Sequence, residues 1–204
     1  MTSAGPGELL AALERFDPDR DWPAIRDEIR PMLPRLRPIP AADQPVRMML
    51  PPGILVAFGI DLGPAIAQVG QALLERWDIS VDELAAASLG NVRRLAAACD
   101  PRLVVRNPVG SMDVSALQTR RGIAASLLLV PDQLARFFGS EPGLLLAPMR
   151  DLLVRVPLGT PIADAAWLAE EFESIDPNCL HLGGFAWDGG VLVPVPLEAP
   201  AAHG

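Results

Sequence analysis

The polar residues best placed to do chemistry in this chain are Asp61, Asn91, Arg150 and Asp151, each beside an apolar run that would hold it still. Asp61 ends the run Ile54 to Ile60. Asn91 lies next to the apolar stripe of a capped helix, and Arg150-Asp151 sits between two strand-like segments, Leu144 to Ala147 and Leu152 to Val156. Two carboxylates flanked by an arginine and an amide could exchange protons with a small polar substrate, or hold a cation, if the ends of these elements met. The structural alternative uses the same residues. Asp at a turn accepts from backbone donors, Asn beside a core stripe ties a helix to its neighbour, and Arg-Asp pairs across a hairpin.

Other catalytic arrangements are missing. The only histidines are His181 and His203, so the three or four converging ligands of a metal site are not in view, and no metal or other cofactor is expected. There is no HExxH, no phosphate-binding Gly-rich loop and no Gly-x-Ser-x-Gly elbow. The two cysteines, Cys99 and Cys179, have no CxxC or CxxH spacing and read as buried thiols of a reducing compartment. A lone His181 at a strand start reads as a structural residue.

All 17 basic residues are Arg, and the net charge of −8 argues against nucleic-acid binding, which depends on phosphate neutralisation. The charge is uneven. Arg93, Arg94, Arg102, Arg106, Arg120 and Arg121 stand against Asp100 and Asp113 only, a local +4 that leaves −12 elsewhere. That patch is a candidate anion or RNA surface, against the simpler reading of a solvated face.

These residues need elements to position them. Ser80 and Glu83 form a capping box opening a helix whose face carries Val81, Leu84, Ser88, Val92 and Leu95, with Asp100-Pro101 as its stop. Ile54 to Ile60 reads as a buried strand, returned by Asp61-Leu62-Gly63-Pro64 through Ala65 to Val69, although a helix from Pro64 competes. Pro31 to Pro52 is too proline-rich for helix and reads as an extended wrap, with Val46 to Leu50 as an edge strand. Arg102 to Arg106 has strand composition. Gly122 to Val130 is an apolar run broken only by Ser126 and fits either a strand or a helix. A short helix follows Pro131, and another follows Thr160-Pro161 with Ile162, Ala165, Ala169 and Phe172 inward. A hairpin of Leu180 to Trp187 and Val191 to Val195 turns at Asp188-Gly189-Gly190. Hairpins separated by single helices predict an α+β fold, a mainly antiparallel sheet with helices on one face. The expected organisation is an N-terminal helix and Pro-rich arm over 1–52, one α+β domain over 53–197 and a disordered tail over 198–204.

Several of these parts recur together in one group of bacterial proteins. Trp77, the Ile79-Ser80-x-x-Glu83-Leu84 helix start, Asn91-Val92, Ala125-Ser126-Leu127-Leu128-Leu129 and Pro148-Met149-Arg150-Asp151-Leu152-Leu153 follow in order between about Pro31 and Phe185. In these the chain resembles the YtpQ-like family of unknown function. Asp78 and Met149 depart from the Gly and Ser usual in that family. The resemblance implies a bacterial cytoplasmic origin and supplies no catalytic residues.

With 50% hydrophobic residues, 5% aromatic and no Tyr, the core must be built from Leu, Val, Ile and Ala, with apolar surface left over. No signal peptide or membrane span is expected. The leading expectation is a non-catalytic cytoplasmic protein that binds another protein or its own copy. The alternatives are a hydrolase using Asp61, Asp151 and Arg150, and anion or RNA binding by the Arg patch.

Overall fold

The structure is a computed structural model that describes residues 6–14, 17, 19–33, 44–63, 65–175 and 179–197. The chain divides into two compact units, residues 1–49 with 55–92, and residues 50–54 with 93–204. The first part of the expected arm therefore belongs to a folded unit, because its strands pair with the Ile54 run. Residues 34–43 of the Pro-rich wrap and the tail from 198 lie outside the described residues.

The first unit holds helices α1 (Pro6–Glu14) and α2 (Trp22–Ile25), strands β1 (Ile29–Met32), β2 (Arg47–Leu50), β3 (Ile54–Asp61) and β4 (Ile66–Gln68), and helix α3 (Gln71–Trp77). It also holds the start of α4 (Val81–Ala97). β3 is the centre of its sheet, flanked in the order β1-β3-β2, with β4 also antiparallel to β3. That position explains its composition, since Val56, Ala57, Phe58 and Ile60 are all fully enclosed. The turn after Asp61 returns as a strand, not a helix, with Gly63 at φ +86 where an L side chain would strain. Trp77 is buried against Trp22, ring centres 5.6 Å apart, and its indole N–H donates to the Arg20 carbonyl at 2.9 Å.

α4 opens as its sequence dictates. The Ser80 amide and hydroxyl each donate to Glu83 Oε2 at 2.9 Å, and the Glu83 amide donates back to Ser80 Oγ at 3.2 Å. Leu84, Ser88 and Val92 are buried along one face.

The second unit is a six-stranded antiparallel sheet ordered β10-β9-β7-β8-β6-β5. Its strands are β5 (Val104–Val109), β6 (Met112–Leu117), β7 (Gly143–Met149), β8 (Leu152–Pro157), β9 (Gly184–Trp187) and β10 (Leu192–Val195). Its helices are α5 (Leu134–Phe138) and α6 (Ile162–Ser174). Ala165, Leu168 and Ala169 of α6 pack on Leu144, Leu146, Val154 and Val156. Leu145 and Ala147, the alternate residues of β7, are buried as well, and the apolar run after Gly122 contacts β7 as a 3-10 turn, Ala125–Leu129. Both outer strands carry a proline, Pro108 in β5 and Pro194 in β10, which blunts edge pairing. No helix among the described residues is long and apolar enough to cross a membrane.

One side chain departs from expectation. Ile162 is exposed, because side chains lean toward the N-terminus and the first residue of a helix has no preceding turn to cover; Leu168 takes the inward place. Phe185 and Trp187 pack in the core. They share one face of β9, which is paired on both sides, and both are buried.

Candidate functional site

Arg150 and Asp151 form the corner between β7 and β8, and both reach toward the loop that follows β6. The Thr119 hydroxyl donates a close hydrogen bond to Asp151 Oδ1, which also accepts from the Ala124 amide at 3.4 Å. Thr119 Oγ1 in turn accepts from the Arg121 and Ile123 amides at 3.2 and 3.4 Å. The Ala125 amide donates to the Arg150 carbonyl at 3.1 Å, and Arg150 Nε to the Gly122 carbonyl at 3.2 Å. Gly122 sits at φ +69 against this guanidinium, so a side chain there would be strained and crowded. The corner is thus a clamp on residues 119–125. Asp151 is buried and its Oδ2 is enclosed without a hydrogen-bond partner, so this carboxylate is sealed from any substrate in the observed state.

Asp61 and Asn91 belong to the first unit and are engaged there. Asp61 Oδ1 accepts from the Gly63 amide at 2.9 Å, closing the turn after β3, and Oδ2 pairs with Arg30 Nε at 3.4 Å. Asn91 Nδ2 donates to the carbonyls of Arg26 at 2.7 Å and Ile29 at 3.0 Å, tying α4 to the entry of β1. All four signature residues therefore bond locally to backbone or to one neighbouring side chain.

The Arg patch is dispersed over α4, the turn before β5, β5 and the loop after β6. Arg93 pairs with Asp132 at 3.3 Å to both oxygens. Burial raises the Asp132 carboxyl, yet the Gln133 amide and Arg93 outweigh it and hold the group below its ordinary value. Arg94, Arg102, Arg106, Arg120 and Arg121 are exposed. Arg106 also lines an open groove of about 470 Å³ with Asp113, Ser115, Glu141 and Arg155. Its opposed charges do not select an anion, and Arg155 is already tied to the Glu141 and Pro142 carbonyls at 3.2 and 3.0 Å.

Three residues outside every sequence motif converge on the second unit. Glu173 lies in the last turn of α6, and Cys179 and His181 precede β9, where the Leu180 amide between them donates to the Pro148 carbonyl at 2.9 Å. Cys179 Sγ is 3.1 Å from His181 Nε2, while His181 Nδ1 is in close contact with Glu173 Oε2. The thiol is buried, 5% exposed; the imidazole is 59% and the Glu173 side chain 15% exposed. His181 adopts φ +52, a left-handed conformation uncommon for histidine. Ligand atoms of the three lie within 4.8 Å of one another, so the convergence missing from the sequence reading is supplied by the fold. Cys179-Leu180-His181 was the legible half of this signal; Glu173 joins only through the return from α6. Comparison with family profiles, with curated proteins and with solved structures finds no match.

Proposed function

We propose that the protein is an α+β module that binds a second copy of itself, with Asp61, Asn91, Arg150 and Asp151 serving the fold and not catalysis. The observation that carries this reading is the apolar surface around α6. Four of the nine large apolar side chains found exposed among the described residues fall in the short span from Leu158 to Ile175: Leu158 (53%), Ile162 (37%), Trp167 (48%) and Ile175 (72%). A half-exposed tryptophan is the residue most often found at the energetic centre of an interface. Glu170 and Glu171 stand on the exposed side of the same helix, and the exposed arginines of the Arg patch on another copy would complement them.

Reading the ordered motifs as those of a YtpQ-like protein, and the buried Cys99 and Cys179, neither in a disulfide, as thiols of a reducing compartment, agrees with a bacterial cytoplasmic protein. The test is the mass of the full chain in solution over a concentration series, alone and with Trp167→Ala. A species larger than 21.8 kDa at micromolar concentration, weakened by the substitution, supports the proposal.

A further inference from the structure

We propose that Cys179 is a thiol nucleophile, that His181 is its base, and that Glu173 orients the imidazole. Three features favour a relay over a metal chelate. The two ring nitrogens of His181 are used in opposite directions, Nδ1 on the carboxylate and Nε2 on the sulfur. A metal would need one nitrogen, the thiolate and the carboxylate turned to one point. A proton on Nδ1, bonded to Glu173, leaves the Nε2 lone pair facing the thiol, which is the arrangement of nucleophile, base and orienter. Finally, Glu173 occupies the last turn of a helix that has no basic residue there, so a proton-bearing partner offsets the unfavourable placement of a carboxylate at the negative helix end.

The burial of Sγ restricts the reagent to a small electrophile, and hydrogen peroxide is the one this site suits. The Cys179 proton passes to His181 Nε2, and the thiolate attacks one peroxide oxygen. The O–O bond breaks as the S–O bond forms. The departing hydroxide takes the proton from Nε2 and leaves as water, so sulfur is oxidised to the sulfenic acid and peroxide is reduced. Cys99 is an internal control. Burial pushes its thiol above the ordinary value, and among the described residues no histidine partners it.

The experiment uses the full chain freed of metal with EDTA, alkylated with iodoacetamide at neutral pH, with each cysteine followed by peptide mass. Cys179 should react at least about tenfold faster than Cys99, and His181→Asn should remove most of that advantage. Glu173→Gln should slow the reaction severalfold and change its pH profile, which loss of a merely structural contact would not do. Hydrogen peroxide followed by dimedone should mark Cys179 and spare Cys99. Melting curves establish that each variant is folded, and the Cys179-to-Cys99 ratio in the unsubstituted chain stands without them. Equal rates for the two thiols, an unchanged rate in folded His181→Asn, or tight one-to-one zinc binding that requires Cys179 would each overturn the proposal.

Discussion

Replacing Asp151 separates a residue that holds the fold from one that serves chemistry, and the structure fixes the expected size. In Asp151→Ala the Thr119 hydroxyl and the buried Ala124 amide lose their shared acceptor. Each buried donor left unsatisfied costs about 1 to 3 kcal/mol. Part of this is offset, because the native carboxylate is itself held with Oδ2 enclosed and unpartnered, a cost the alanine removes. The net loss should be about 2 to 3 kcal/mol, which for a chain of this size lowers the melting temperature by roughly 4 to 12 °C. Asp151→Asn keeps an oxygen for both donors but loses charge assistance and places an NH2 in the enclosed, unpartnered position of Oδ2, so its loss should be about 1 to 3 kcal/mol. Urea unfolding followed by tryptophan fluorescence suits the assay, since Trp187 is almost fully buried in the same unit. A Thr119→Val, Asp151→Ala cycle should show coupling of about 1 kcal/mol or more. An alanine variant as stable as the unsubstituted chain, or more so, would refute the clamp and point to a carboxylate kept under repulsion for catalysis.

Three further outcomes follow from other contacts. Asn91→Asp should destabilise by about 2 kcal/mol or more, because a carboxylate would face the Arg26 and Ile29 carbonyls that now accept from the amide; denaturation midpoints measure it. Glu83 is held below its ordinary value by the Ser80 amide and then by the Ser80 hydroxyl, so the contribution is present above the ordinary carboxylate range and is lost as pH falls through the folded value. Stability compared at pH 6 and pH 3 should therefore drop less in Ser80→Ala than in the native chain. Finally, duplex DNA and RNA should bind no tighter than roughly micromolar at physiological salt, and salt-sensitive retention of RNA in a filter assay would contradict this.

What could be read from the sequence was local. The capping box at Ser80 and Glu83 lies within one helical turn, and Asp188, whose Oδ1 accepts from the Gly190 and Val191 amides at 3.0 and 2.8 Å, specifies its own hairpin. The run from Gly122 to Val130 is undecidable from sequence because a short, almost wholly apolar segment carries no clear period; packing against β7 makes it a 3-10 turn. Asp151 was visible as a residue of interest. Its role was not, since Thr119 lies 32 residues away and only the sheet order brings them together. Glu173, Cys179 and His181 escaped for the same reason, with Cys179 and His181 near enough to notice and the carboxylate supplied by another element.

The claim that the protein associates with its own copy through the surface around α6 meets its most direct test in sedimentation equilibrium of the full chain across micromolar concentrations. The account predicts a mass rising above 21.8 kDa with concentration, returned toward that value by Trp167→Ala without loss of folding. A mass of 21.8 kDa at every concentration, or association indifferent to Trp167, would contradict it.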